Sequence, residues 1–362
     1  DKMNPIESSD ELVTRYHRQA LRKLLVLVVS VVGVIVVVGL FSVSVYDSVS
    51  IMEAYGIIWD HIMGVQHAPR STEWWADRFI WNTVMPRIVA AIVAGASLAA
   101  AGALMQSLMN NPLADPYSTG ISSGACFGAI MALVLGLTIN SLSGQSGMVV
   151  NAFLGSLIPV AIVILISKRM PVSPASLILV GTALSYFFNS MVTYMMVITD
   201  ADTLQNAYIW QVGTLDTVTW ESIPLMFGVT VVGSAFVMFL SRQLNILSLG
   251  DANAKTLGLD VEKFRVVCLL VMAVMTASIV CFTGTIGFLG LVAPHLVRLL
   301  IGSDNRFVIP IAMAMGAFIL VLADYIAMSV SDVPVGVVMS IIGSPIFFAL
   351  ILWQKKGYGT VY

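Results

Sequence analysis

Charge is what this chain most lacks. Of its 362 residues only 10% are Asp, Glu, Lys or Arg and 58% are hydrophobic, whereas an ordinary soluble domain is roughly a quarter charged. A water-soluble globule of that composition would have nowhere to put its apolar surface. Grouped basic residues are lacking too: the formal net charge is −2, which excludes a nucleic-acid partner, because phosphate binding needs clustered Lys and Arg. Cysteine is nearly absent. Cys126, Cys268 and Cys281 all fall inside apolar runs and read as small core residues, with no disulfide or zinc framework. There is no HExxH and no pair of intramembrane acids, so an intramembrane enzyme is excluded, and neither a catalytic residue, a bound metal nor a cofactor is expected. Low-complexity linkers, charge blocks and an appended soluble domain are likewise missing, so any energy source lies in another chain.

What the sequence has is long apolar runs. With a window of about 20 residues, apolar segments fall near 24–46, 87–108, 118–138, 147–167, 175–198, 221–241, 265–286, 288–301, 307–329 and 335–353. The expected fold is therefore all-α and polytopic, with ten transmembrane helices in one membrane domain over 24–354, a cytoplasmic segment 1–23 and a cytoplasmic tail 355–362. The first run is longer than a signal-peptide core and lacks a cleavage site, so it reads as a retained helix. Arg15, Arg18, Arg22 and Lys23 at its N-terminal flank place that end in the cytoplasm. Of 18 Lys and Arg, three, Arg70, Arg78 and Arg87, then lie outside and the rest inside. The segment 288–301 is short and holds Pro294, His295 and Arg298; it is retained because without it Lys355 and Lys356 would lie outside. The localisation implied is a cell membrane, plasma or inner, with the lipid bilayer as the main surrounding.

Two exterior stretches stand out. Asp47 to Val84 carries Trp59, Trp74, Trp75 and Trp81, as expected of rings at a membrane interface. Asp200 to Trp220 contains Ala207 to Val212, a candidate short half-helix dipping back toward the membrane. Small residues recur at helix-packing spacing, Gly120, Gly124 and Gly128 on one segment and Ala91, Gly95, Ala99 and Ala103 on another; such ridges let backbones approach closely in a membrane. Arg87-Ile-Val and Arg265-Val-Val, each heading an apolar segment, suggest a repeat in opposite orientations.

The stretch after the second segment reads Gln106, then Asn111-Pro112-Leu113-Ala114-Asp115-Pro116, then Gly120 to Ala125. Pro112 and Pro116 forbid a continuous helix and demand a defined elbow. With Pro86-Arg87 before it, this pattern resembles the FecCD-type permease family. The resemblance continues through Gly258-Leu259-Asp260, Gly284, Gly287-Phe288, Gly290, Pro294-His295, Arg298, Leu322-Ala323-Asp324, Pro334, Gly336 and Gly343-Ser344-Pro345. It implies a permease subunit of an ATP-driven importer for metal chelates of the iron-siderophore, haem or cobalamin type. The implied partners are a second copy of the chain, two cytoplasmic ATP-binding-cassette ATPase subunits and an external substrate-binding protein. An ion-coupled secondary transporter is the alternative reading.

The resemblance also implies roles for particular residues. The loop Leu247 to Arg265 matches the element that docks in the ATPase, with Asp251, Ala252, Ala254, Lys255, Leu257, Gly258, Leu259 and Asp260 as its contact residues. Composition predicts a short helix there, with Asp251 as N-cap, Gly258 just past the C-terminus, and Ala252, Ala254 and Leu257 as an apolar patch. The translocation path is expected along Ser173, Ser176, Thr182, Ser185, Tyr186, Asn189, Thr193 and Met196, then Gln205 to Trp210, then Ser340 and Ser344. That lining lacks fixed charge, which suits a large amphipathic chelate and argues against an ion-selective channel. Binding-protein docking is expected at Arg70, Arg78 and Arg87, although ten exterior acids (Asp47, Glu53, Asp60, Glu73, Asp77, Asp200, Asp202, Asp216, Glu221 and Asp332) surround them. Asp324 lies in an apolar run, where a carboxylate costs roughly 2.5–3.5 kcal/mol. It is expected to pair structurally with a helix terminus or hydroxyl, with a proton relay as the alternative, and His295 reads as a packing or capping residue beside Pro294.

Overall fold

Helix follows apolar composition along the chain. The computed structural model describes residues 9–44, 49–138, 145–167, 174–331 and 333–357, and among them all regular structure is helical. α1 spans Ser9–Ser44, so the helix begins well before the apolar run, in a segment whose Leu12, Arg15, Arg18, Gln19, Ala20, Leu21 and Arg22 are good helix formers. Residues 49–79 form α2 (Ile51–Ile62), opened by a reciprocal Ser50–Glu53 capping box, and α3 (Thr72–Phe79). α3 passes through a π-turn, Ile80–Val84, into α4 (Met85–Leu108). Pro86 explains the turn, because it has no amide to bond Asn82 and the helix must loosen there.

The elbow forms as its prolines require. Asn111 Oδ1 accepts the Leu113 amide at 2.9 Å, and Asp115 Oδ1 accepts that of Tyr117 at 3.0 Å, starting a 3₁₀ turn over Pro116–Thr119. Burial pushes the Asp115 carboxyl up to about 6. Then come α5 (Ile121–Leu135), α6 (Gln145–Ser167), α7 (Pro174–Ile198) and α8 (Ala201–Val212), the last capped by Asp200 on the Thr203 amide. α9 (Ile223–Phe239) bends by 53° into α10 (Ser241–Leu247). α11 (Asp251–Thr256), α12 (Val261–Thr283), α13 (Leu289–Ile301), α14 (Asn305–Ser331) and α15 (Val335–Gly357) complete the chain.

Every apolar segment read from the sequence coincides with a helix, but length separates them. Six stretches, on α1, α3–α4, α6, α7, α12 and α14, are long and apolar enough to cross a membrane, and α9 with α10 makes a seventh if the bent pair is one span. α5, α13 and the apolar part of α15 are shorter. Local backbone is the reason: α5 stops at Gly136 (φ 64), and α13 can start only after an unwound stretch ending at Phe288, itself left-handed at φ 65.

α4 is the central helix. Its Ala- and Gly-rich surface packs on α14, α13, α12 and α9, with Ala90, Ala91, Ala94, Ala99, Ala100, Ala101 and Ala103 all fully buried. A Cβ on Gly95 would overlap the Gly316 carbonyl of α14, and one on Gly124 the Gly155 carbonyl of α6, so backbones touch where the small residues were read as packing ridges. Gly120 departs from that reading: at φ 87 it joins the 3₁₀ turn to α5. All three cysteines are free and buried. α1 and α7 are the least enclosed of the long helices.

Of the four tryptophans between residues 47 and 84, Trp59 and Trp75 are exposed. Trp81 instead stacks between His61 (4.0 Å) and Trp220 (5.1 Å), and the Trp220 indole donates to its carbonyl at 2.8 Å. This stack ties the α2–α3 hairpin to the start of α9.

Candidate functional site

At one end of the bundle, α10 and α11 form a short block held by its own chemistry. Gly250 (φ 93) is the N-cap of α11, with no side-chain cap, so Asp251 does not cap the helix as composition predicts. Its carboxylate instead takes both terminal nitrogens of Arg265, at 2.9 and 2.7 Å, pinning α11 to α12. A buried guanidinium is the stronger competitor, because a bidentate charge-assisted pair outweighs one neutral amide bond. Gly258 closes the helix at φ 87, as expected: its amide bonds to Lys255 O and that of Leu259 to Ala254 O, both at 3.0 Å. Asp260 then caps α12 through the Lys263 amide at 3.2 Å, and Lys255 reaches Glu262 at 3.3 Å.

The apolar patch is differently composed from the sequence expectation. Ala254 is fully buried in the core with Leu244 and Leu247, so it cannot meet a partner. Leu249 and Leu257 are the exposed leucines, at 56% and 61%, with Ala252 beside them. Leu249 escaped the sequence reading because nothing local distinguishes it from Leu247.

Behind this block lies a polar hub. Arg298 on α13 donates to Gln106 Oε1 (3.2 Å), Ser107 Oγ (2.8 Å), Asn305 Oδ1 (3.0 Å) and the Ala103 carbonyl (3.1 Å). Gln106 in turn donates to Leu291 O at 3.0 Å. Asn245 of α10 accepts the Asn305 amide at 2.9 Å and donates to Asp304 at 2.8 Å. The hub thus joins the ends of α4, α13 and α14 to α10. Arg306 and Asn245 hold the Asp304 carboxyl down at about 2.

At the other end sits an ion triad built on a buried Arg87–Asp324 pair. Arg87 Nε and Nη2 bond the two oxygens of Asp324 at 2.7 and 2.8 Å, and Nη1 bonds Asp216. Arg87 is 8% exposed and Asp324 wholly buried, which removes Arg87 from the expected docking surface. The partner of Asp324 is this guanidinium, where a helix terminus or hydroxyl was expected. Proximity across 237 positions leaves no trace in local sequence. Arg70 and Arg78 remain exposed, the latter with its guanidinium 4.5 Å from the Trp74 ring centre. Arg87 and Arg265, the two arginines of the suggested repeat, share one feature: each is buried at the head of a helix and gripped by a carboxylate.

Thr182, Tyr186, Asn189 and Thr193 share one exposed face of α7, at i, i+4, i+7 and i+11. Ser176, Ser185 and Met196 are half-buried at its margins. The hydroxyls of Thr182, Ser185 and Thr193 donate to carbonyls of their own helix at 2.8–2.9 Å, so these donors are already satisfied within α7. On α15 Ser340 is exposed, its hydroxyl on Gly336 O at 2.8 Å, and Ser344 half-buried. Ser173 and Asp332 lie outside the described residues, as do 1–8 and 358–362. α8 touches α5 and α15, and its C-terminal end is locked: Thr214 N bonds Thr283 O at 2.8 Å and Gly336 N bonds Gly213 O at 3.1 Å.

The profile of the FecCD transport family matches residues 33–353. The chain belongs to the FecCD transport family. Among similar proteins, the cobalamin import system permease protein BtuC of Halobacterium salinarum is 38% identical over 202 residues, 55% of this chain and 54% of that one. The hemin transport system permease protein HmuU of Yersinia pestis is 35% identical over 211 residues, 58% of this chain and 63% of that one. These alignments therefore span between half and two thirds of the curated relatives. A solved structure of a metal-chelate type ABC transporter in an inward-facing conformation matches with a TM-score of 0.72 and 28% identity, over 83% of this chain and 99% of that one. In this FecCD-family chain the Gln106, Asn111–Ala114, Gly258 and Arg298 motifs all fall on the elbow, the hub and the α10–α11 block.

Proposed function

We propose that the chain is the membrane-spanning permease subunit of an ATP-binding-cassette importer for a metal chelate of the siderophore, haem or cobalamin type. The observation that carries this reading is the α10–α11 block. It is rigid, fixed to α12 by Arg265 and Asp251 and to α14 by Asn245, and it presents Leu249 and Leu257 to solvent. Burying exposed leucines against a partner gains about 1.5–3 kcal/mol each, and a rigid mount transmits the partner's movement to α12 and α14. The partner is the cytoplasmic ATPase, one per permease. In this arrangement all ten apolar helices cross or enter the membrane, with both termini cytoplasmic.

Two copies of the chain enclose the path. The polar stripe Thr182, Tyr186, Asn189, Thr193 is costly against lipid and suits a partner surface or an aqueous path lined with hydroxyl and amide groups. An external binding protein delivers the chelate to the opposite face, where Arg70 and Arg78 are the exposed cations. An ion-coupled mechanism is disfavoured, because Asp324, the acid it would use, is held by Arg87. The test is reconstitution in liposomes with the cognate ATPase and binding protein. Chelate uptake should require ATP inside and be unchanged by ionophores; uptake driven by an ion gradient without ATPase would refute the reading.

A further inference from the structure

We propose that the seam between α9 and α12 binds one membrane lipid, its acyl chain in an apolar groove and a primary-amine headgroup on Glu221. The groove is a cavity of about 550 Å³ between Pro224, Gly228, Val232 and Phe236 of α9 and Leu270 and Val274 of α12. No polar side chain lines it. Gly228 keeps its floor open, since no atom lies within 4 Å of where a Cβ would stand. From Pro224 to Phe236, α9 rises about 18 Å at 1.5 Å per residue, close to the roughly 15 Å depth of one bilayer leaflet.

Directly above it is a second cavity, of about 260 Å³ and polar, at the start of α6, the end of α12 and the turn before α9. Gln145, Ser146, Thr219, Glu221 and Ser222 line it together with Val149, Val150 and Phe282. The two lie end to end: Met275 of the groove and Phe282 of the polar cavity are two turns apart on one face of α12, and Ser222 and Pro224 nearly adjoin in the chain. Gln145 Nε2 donates to Thr217 O at 3.0 Å, so the polar cavity has a fixed wall. Glu221 is exposed, and among the described residues it has no ion-pair partner.

An apolar groove about one leaflet long, leading to a cup where hydroxyl and amide side chains and a single carboxylate stand beside Val149, Val150 and Phe282, matches a zwitterionic lipid whose head carries a hydrogen-bonding ammonium. A primary ammonium donates three hydrogen bonds, a quaternary one none, and an anionic head would be repelled by Glu221. A second copy of the chain is the poorer occupant. The groove has no polar group to fix a register, and Leu225, Phe227 and Phe239 around it continue the apolar surface of α9.

The test is native mass spectrometry of the full chain purified in detergent, with equal amounts of phosphatidylethanolamine, phosphatidylcholine and phosphatidylglycerol of one chain length. One lipid should remain bound, phosphatidylethanolamine about ten-fold over phosphatidylcholine, the discrimination expected of one charge-assisted hydrogen bond, and phosphatidylglycerol least. Glu221→Gln should erase that preference while one lipid is still held. Gly228→Phe, or the smaller Gly228→Leu if the first aggregates, should empty the groove with unchanged melting. Equal retention of all three lipids, or undiminished retention in the groove-filling variant, overturns the proposal. Disulfide cross-linking of two chains through Gly228→Cys in membranes would overturn it in favour of a second copy.

Discussion

Arg87→Met separates a structural arginine from a docking one. In the wild-type chain Asp324 is wholly buried and receives two guanidinium hydrogen bonds, at 2.7 and 2.8 Å. Removing the cation leaves a carboxylate without its counter-charge, a change that costs about 3–5 kcal/mol when a buried pair is broken. The share owed to Asp216 is small, because its side chain is 43% exposed and an exposed pair is worth about 0–1 kcal/mol. In the double variant Arg87→Met with Asp324→Leu, both charges are replaced by apolar groups, and most of the lost stability should return. The buried cysteines provide the assay: Cys126, Cys268 and Cys281 are free and inaccessible, so a thiol-reactive fluorophore reports unfolding as each detergent-purified variant is heated. The single variant should melt several degrees below wild type and the double variant close to it. A single variant that melts like wild type yet no longer retains the binding protein would refute this reasoning and return Arg87 to the docking surface.

Four further outcomes are expected. Gly258→Val forces a β-branched residue to φ 87, at well over the ~1 kcal/mol typical for Ala; co-purification of the ATPase and uptake should fall while the binding protein still docks. Leu257→Glu should do the same without lowering the melting temperature, whereas Ala254→Glu should lower it, since Ala254 is buried; equal behaviour of the two variants would contradict the assigned faces. An impermeant thiol reagent outside intact cells should label a cysteine placed at position 65 and spare one at 253, and the reverse would invert the topology. Because the Asp304 carboxyl is held down at about 2, against an ordinary value of about 3.9, its stabilisation is complete above about pH 4 and is lost as pH falls toward 2. Melting curves of wild type and Asp304→Asn should therefore differ at pH 6 and converge near pH 2; a constant difference across that range would refute it.

The helices, the proline elbow and the close-packed small-residue ridges were legible because each is dictated by neighbours in the chain. Apolar runs demand helix, Pro112 and Pro116 break it, Gly258 admits a left-handed turn, and Gly95 and Gly124 permit backbone contact. The partners of the charged residues were not legible. Arg87 looked like an exterior cation, Asp251 like a cap and Ala254 like a contact residue, since sequence reports a side chain's chemistry and not what stands opposite it. Only the packing of α4 against α14 carries Asp324 to Arg87, and only the fold of α10 to α12 brings Arg265 to Asp251 and turns Ala254 inward. In a bundle this poor in charge, burying an ion is expensive unless another is placed beside it, and that placement is decided by which helices pack together.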